Sequence, residues 1–487
     1  MNTISQDTQV YYNFNNLDYI DKRFLFPKTD DKEQKIEQLA ITGFIAEYQI
    51  DGSVRFKFNQ NIFAKYLSKA IVGVQDDAGN LYIYNIKGFY VQADAWVVGK
   101  LVKYLMCQII DLWSKPYEQM GIDSYNRDIK KIVKDFNKTD HINLANGILD
   151  IRDMTLASHS PSFYSTIQLP INYCPNAGCR RFVQYIKEIT GNDQELACVL
   201  QEVVGYCLCH NVKAEKAFFL FGMGKNGKSV FIKVIEQLVG NENISNVELE
   251  KLGSSFGIAS MVNKNVNISA ENELKTKLNT QYFKAIVSGD TLNISRKYKD
   301  DIQCSLSCKL IMLANSLPDT ADFTYGYFRK ILIIPFNQKF DEENQDVYLF
   351  EKLSKELPGI LNWALEGLNR LQANSYRFST STAINNLMKS YNNEQNPTGD
   401  FFKEFYEEYE NGKIKKSELY SDYQYWMNEN GLEAPNKQLF WKMLKNKAAE
   451  SGSDIILEYK RVRGTDYLQG YKRKYPVDQT QKLDINF

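Results

Sequence analysis

The residues best equipped for chemistry form one run, Gly222-Met223-Gly224-Lys225-Asn226-Gly227-Lys228-Ser229. Glycines let a backbone curl closely round a bound group with positive φ, and successive N–H groups in such a loop make a concave anion site. The group that suits it is a polyphosphate. Lys228 would reach the outer phosphates, and the Ser229 hydroxyl would ligate Mg2+. The elements that must position the loop flank it. Ala217 to Phe221 reads as a buried parallel strand, and Val230 to Leu238, ended by Gly240, reads as a helix whose N-terminus adds partial positive charge. Gly222, Gly224, Asn226, Gly227, Lys228 and Ser229 are thus candidate contacts to ATP.

An ATPase also needs carboxylates, one to hold the metal and one to polarise water. Val266-Asn267-Ile268-Ser269-Ala270-Glu271-Asn272-Glu273 reads as a strand ending in acids, with Glu271 placed for Mg2+ and either glutamate able to act on water. An acidic strand end is ordinarily a solvated turn; its place after the P-loop gives this one a purpose. Lys309 to Asn315 is a second buried strand, and its terminal amide would lie where open α/β sheets bind ligands. Arg329 and Lys330 precede a third such strand, Ile331 to Phe336. A cation there could complete a neighbouring subunit's site. Between the last two acids and Asn315, Lys284-x4-Gly289-Asp290-x5-Arg296-Lys297-Tyr298-Lys299 suggests a hairpin with a basic-aromatic tip. Such a tip either grips a phosphate backbone or is merely solvated.

Composition bounds the rest. The 487 residues can bury more than one core, and 59 Lys and Arg offset 59 Asp and Glu, so any DNA contact must come from local patches. No apolar run is long enough to span a membrane and the first residues are polar, so a cytoplasmic chain is expected. Eight cysteines are too sparse for a disulfide framework. Cys174, Cys179, Cys207, Cys209 and His210 contain enough ligands for zinc, although the Val203–Leu208 run favours cysteines packed as small hydrophobes. A primase centre with a carboxylate pair and a histidine is not expected, because none of the three histidines precedes residue 141.

Residues 1–100 read as an α+β unit with a hairpin turning at Asp76–Asn80. Residues 101–213 read as mainly helical, with helices over Val102–Trp113, Arg127–Phe136 and Arg180–Tyr206 and an Asn146-Gly147 hairpin between them. Residues 214–371 hold the ATPase elements. After a polar linker, 372–487 shows three helices, Asp400–Tyr409, one opening at Lys416 and Asn436–Lys445, followed by a basic strand pair. That order describes a winged helix, in which Lys437, Lys442 and Lys445 would enter the major groove while Arg461 and Arg463 contact phosphates. A helical cap with solvated lysines is the plainer reading.

The succession of P-loop, acidic strand, Lys-x4-Gly-Asp-x5-Arg, Asn-ended strand and Arg-Lys before Ile-Pro-Phe resembles the superfamily 3 helicases, in particular the phage/plasmid primase–poxvirus primase-helicase branch. Asn146–Asp150, His159-Ser160-Pro161 and Gln201-Glu202-x2-Gly205-Tyr206 resemble that family's helical domain. The resemblance implies an AAA+ α/β motor behind a helical collar, assembled as a hexameric ring that draws one DNA strand through its centre, 3′ to 5′. On it, Lys228 and Ser229 fall on Walker A, Glu271 and Glu273 on Walker B, Asn315 on the sensor, Arg296, Lys297 and Lys299 on the pore hairpin, and Arg329 on the first of two arginines. The second is Lys330 here, which lacks the bidentate fork suited to phosphate. The expectation is a replication initiator helicase of a phage, plasmid or phage-satellite island in a bacterial host. Its rival is a P-loop ATPase for DNA packaging or remodelling, or a nucleotide-gated DNA-binding switch.

Overall fold

The computed structural model describes residues 15–137, 140–269, 280–297, 299–318, 320, 325–340, 346–430, 432–449 and 453–474. The chain opens with α1 (Lys32–Ile41), the hairpin β1 (Phe44–Tyr48) and β2 (Val54–Phe58), α2 (Gln60–Ala70), the antiparallel β3 (Gly73–Gln75), β4 (Leu81–Tyr84) and β5 (Tyr90–Gln92), α3 (Ala95–Cys107) and α4 (Lys115–Asp128). The β3–β4 turn is held by Asp76, whose carboxylate accepts the N–H groups of Ala78 and Asn80.

The apolar face of α3 decides where this unit ends. Val97, Val98, Leu101, Val102 and Leu105 pack with Phe44, Phe63, Leu67, Ile83 and Tyr125 in a single core. The expected boundary after residue 100 therefore cuts through one helix, and α3 and α4 belong with the strands before them. The helix expected over Arg127–Phe136 does not form. Ile129, Ile132 and Val133 are β-branched, and this stretch instead runs beside β3, with Gln75 N–H bonded to Lys131 O and Val133 N–H to Gln75 O.

A small antiparallel sheet, β6 (His141–Leu144), β7 (Gly147–Asp150) and β8 (Thr155–Ala157), follows, and the expected hairpin is its first pair. Then come α5 (Arg180–Thr190) and α6 (Gln194–Leu208). Their buried faces share a core with the P-loop helix and the strands after it, so no break in packing separates the expected collar from the motor.

The region expected to hold the motor is built on a five-stranded parallel sheet in the order β10 (Ile244–Ser245), β11 (Val266–Ser269), β14 (Lys309–Ala314), β9 (Ala217–Phe221), β15 (Ile331–Pro335). Both faces are covered, which is why its strands are apolar nearly throughout. On one face lie α6, α7 (Lys228–Val239) and α10 (Leu357–Ala373), the last preceded by the short α9 (Leu349–Ser354). Across α6 and α10 the approach is backbone to backbone. A Cβ on Gly205 would stand 2.4 Å from Ala364 O, and one on Gly367 2.3 Å from Gln201 O. The other face is packed by α8 (Thr280–Ser288) and the hairpin β12 (Thr291–Arg296) and β13 (Lys299–Ser305).

Helix α11 (Thr382–Gln395) still belongs to this body, since Ile384 and Tyr391 are buried in the two cores that cover the parallel sheet. The separate C-terminal core begins at Phe401, some way past the expected boundary at 372. Its elements are α12 (Thr398–Phe405), β16 (Tyr406–Lys415), α13 (Lys416–Glu429), α14 (Lys437–Ala448), β17 (Tyr459–Val462) and β18 (Thr465–Arg473), with sheet order β16-β18-β17. The strand pair and three helices are where the sequence puts them, but the first helix stops at Phe405 and its expected end is the strand β16. No helix among the described residues is long and apolar enough to cross a membrane.

Candidate nucleotide site and nucleic-acid surfaces

The P-loop lies at the C-terminal end of β9, between β14 and β15. Its curl uses the backbone freedom the glycines supply: Gly227 has φ 90° and Lys225, a non-glycine, φ 59°. A Cβ on Gly222 would stand 2.4 Å from Phe336 O, so this glycine serves a close approach of two chain segments. A Cβ on Gly224 would meet nothing within 4 Å. Among the described residues, none accepts a hydrogen bond from the N–H of Gly224, Asn226 or Gly227. Unpaired amides in a glycine loop at a helix N-terminus suit a phosphate group, and Ser229, in the first turn of that helix, is exposed.

Asn226 acts from behind. Its Nδ2 donates to Met223 O (2.8 Å) and Phe336 O (3.1 Å), so the side chain braces the loop and leaves recognition to the backbone. Lys228 is almost wholly buried. Its Nζ donates to Gly222 O, to Ala314 O at 3.4 Å and to the Asn315 side-chain oxygen at 3.0 Å. The structure thus brings together two residues 87 positions apart. With its oxygen taken by Lys228, the Asn315 amide has its N–H groups to offer. Glu271 and Glu273 lie outside the described residues; β11 leads toward them and ends at Ser269, beside β14.

Arg329 and Lys330 sit at the opposite edge of the sheet. Because β15 runs parallel to β9 with Ile331 opposite Ala217 and Pro335 opposite Phe221, the start of β15, just after Arg329, lies about 16 Å along the sheet from the start of the P-loop at the usual strand rise. Both cations meet Glu215, Lys330 at 2.8 Å and Arg329 at 3.3 Å. Their surroundings differ. Lys330 is buried and also donates to Ser288, whereas the Arg329 side chain is half exposed. Lys216 donates to Arg329 O, and burial together with the two neighbouring cations pulls its pKa down to about 8.

The same edge holds other buried nitrogen bases. Lys309, at the start of β14, is fully buried, donates to Cys209 O and lies 5.4 Å from the Tyr206 ring; burial lowers its pKa. His210 bonds Asn265 Oδ1 through Nδ1 at 2.8 Å, and burial, then Lys309, lowers its pKa to about 4. Cys207 and Cys209 are buried and Cys174 exposed. Among the described residues no group of three or more His, Cys, Asp and Glu is arranged to hold a metal ion.

The expected basic hairpin forms as β12–β13, with a bulge between Ile294 and Arg296; Lys297 is exposed at its tip and Lys299 opens β13. Sequence reasoning passed over its neighbour. Ser255 Oγ bonds Ser295 Oγ at 3.1 Å, which sets the adjacent Phe256, two-thirds exposed, beside the hairpin. In the C-terminal unit, Lys437, Lys442 and Lys445 are exposed on α14 while Phe440, Met443 and Leu444 face the core. Arg461 is exposed on β17, and Arg463 (φ 49°) with Gly464 (φ 82°) makes the tight turn into β18. Lys416, unmarked in the sequence, lies over Trp441 at 4.6 Å and Tyr459 at 4.9 Å, between the helix and the strand pair.

Three segments match models of known families: a D5 N terminal-like model over residues 64–191, a family of unknown function (DUF5906) over 220–329, and a Poxvirus D5 protein-like model over 393–482. Among curated proteins the chain is 27% identical over 180 residues to "Putative helicase L207/L206" of Acanthamoeba polyphaga mimivirus, covering 35% of this chain and 18% of that one. It is 23% identical over 358 residues to "Putative helicase 184R" of Invertebrate iridescent virus 6, covering 64% of this chain and 36% of that one. The chain thus spans well under half the length of either relative. The solved NrS-1 C-terminal region aligns over 83% of this chain and 97% of its own at 11% identity, with a TM-score of 0.49, too slight a likeness to argue from.

Proposed function

We propose that this chain is an ATP-dependent DNA helicase of the D5-like primase-helicase kind that acts in replication initiation. The observation that carries the reading is the P-loop: amide N–H groups that no described residue accepts from, with Lys228 and Asn315 joined at 3.0 Å. Gly222–Ser229 would hold Mg2+-ATP, which supplies the phosphoanhydride whose cleavage drives movement. Lys228 would bind the β- and γ-phosphates, Ser229 and Glu271 the metal, Glu271 or Glu273 the attacking water, and Asn315 would orient that water. A P-loop strand inside an all-parallel sheet, with the Asn315 strand on one side and the Arg329 strand on the other, supports an AAA+ motor. The full strand length, about 16 Å, that separates the start of β15 beside Arg329 from the loop favours service to the next subunit of a ring, a hexamer on this reading. Arg296, Lys297 and Lys299 would meet the DNA strand in the ring's centre, with Phe256 beside them.

The C-terminal unit supports a winged helix, with Lys437, Lys442 and Lys445 on the reading helix and Arg461 and Arg463 on the wing, binding origin duplex. The D5-type matches and the helicase names of the relatives support the same reading. The deciding experiment is ATP-dependent unwinding of forked DNA with a 3′ or a 5′ tail, wild type beside Lys228→Ala. Unwinding of the 3′-tailed fork that vanishes with Lys228 is expected. ATP hydrolysis with no strand separation on either fork would replace the helicase by a packaging or remodelling ATPase.

A further inference from the structure

The phosphate-binding loop is held from below by a residue outside it. Tyr185, on α5, is buried, and its hydroxyl donates to Gly227 O at 2.8 Å. Burial raises the phenol's pKa, so the group keeps its proton and stays a donor. Gly227 O is also the first acceptor of α7, taking the N–H groups of Val230 and Phe231 at 3.1 Å each. Its surroundings are close: a Cβ at Gly227 would lie 2.6 Å from Ile189 Cγ2, one turn along α5 from Tyr185.

The geometry of one peptide bond turns this contact into a statement about ligand binding. The Gly227 carbonyl and the Lys228 N–H belong to the same planar trans peptide and point in opposite directions. Fixing the carbonyl down the helix toward Tyr185 therefore aims the Lys228 N–H out of the helix N-terminus. That N–H meets Asn226 Oδ1 at 3.4 Å, a long contact that a phosphate oxygen can take over. Gly227, at φ 90° and ψ −11°, has no side chain with which to hold this peptide itself. Helix α5 is anchored in turn: the Glu356 carboxylate accepts the N–H groups of Arg181 (3.1 Å) and Phe182 (2.9 Å) at its N-terminus.

We infer that Tyr185 is a positioning residue for the nucleotide site, setting the peptide between Gly227 and Lys228 for a phosphate. This rests on the P-loop reading above and adds to it a residue from a helix outside the loop. Tyr185→Phe removes one hydroxyl and keeps the ring, and Ile189→Val trims the same helix face by one methyl, Cδ1, while leaving the hydroxyl and the Cγ2 beside Gly227 in place. Titrating each with ATP, beside wild type and Lys228→Ala, separates the cases. Tyr185→Phe should raise the dissociation constant for ATP roughly tenfold, the weight of one well-placed hydrogen bond. Its turnover at saturating ATP and its melting temperature without nucleotide should stay close to wild type, and Ile189→Val should bind ATP as wild type does. An unchanged dissociation constant in Tyr185→Phe, or a lowered melting temperature with unchanged affinity, would overturn the inference and leave the nucleotide site standing. So would an equal loss in Ile189→Val. A wild-type protein that binds no ATP would remove both.

Discussion

Lys228 and Arg329 stand at opposite ends of neighbouring strands in one sheet, and the chain treats them differently. At the C-terminal edge the lysine is buried on backbone carbonyls and on Asn315, beneath a glycine loop with open room at Gly224. At the N-terminal edge Lys309 and Lys330 are buried, while Arg329 alone of the two cations on Glu215 has its side chain half exposed. A buried base with satisfied partners is part of the frame, whereas a half-exposed guanidinium can leave a surface carboxylate for little. On the proposed function, the contrast would separate residues that serve the chain's own nucleotide from one that serves another subunit.

The sharpest test of that contrast is to remove each cation. Lys228→Ala should abolish nucleotide binding and ATP turnover together, measured by equilibrium titration and phosphate release. Arg329→Ala should lower turnover by roughly a thousandfold, as loss of an arginine finger does, with ATP affinity near wild type. Mixing the two variants should restore part of the activity at shared interfaces; loss of ATP binding by Arg329→Ala alone would end the proposal that it acts in trans.

Smaller effects test the frame. His210 is held neutral by burial with a pKa of about 4, against about 6.5 in an unfolded chain, so below pH 6.5 the unfolded state binds the extra proton. This contribution is intact above about pH 6.5 and is lost as the pH falls toward 4, amounting to about 2 kcal/mol at pH 5. Denaturant titrations at pH 7 and pH 5 should show that loss in wild type and a flatter response in His210→Asn. Lys330→Met should be milder still, costing about 1 kcal/mol because Glu215 can hydrate once its partner is gone. Its ATP turnover should stay within about threefold of wild type; a fall as large as that of Arg329→Ala would erase the distinction between the two cations.

How much of this the sequence carries depends on how local each feature is. The P-loop is legible because strand, glycines and helix are contiguous, and Asn315 because an apolar run of strand length ends in an amide. The meeting of Lys228 with Asn315 needs strand order, which no local pattern contains. Strand β16 is hidden because Glu407, Glu408 and Glu410 face outward and leave a polar stretch that reads as the end of a helix. Its register also shifts between Glu408 and Lys413, which breaks the alternation that marks a strand. The unit boundaries escaped because α3, α5 and α11 are amphipathic helices whose apolar stripes do not say which sheet they cover. Tyr185 looks like any core aromatic, and its bond to Gly227 emerges once the two helices are in place.

The glycines of this chain carry two kinds of information that a saturation-mutagenesis scan would pull apart. Gly205 and Gly367 sit where any side chain would drive two helix backbones apart, so selection for a folded protein should reject even alanine there. Gly224 borders empty room, and that selection should accept alanine or serine at it. Only a second selection, for ATP turnover, should close the position. Scored separately, the two selections would draw the outline of the nucleotide from substitutions alone.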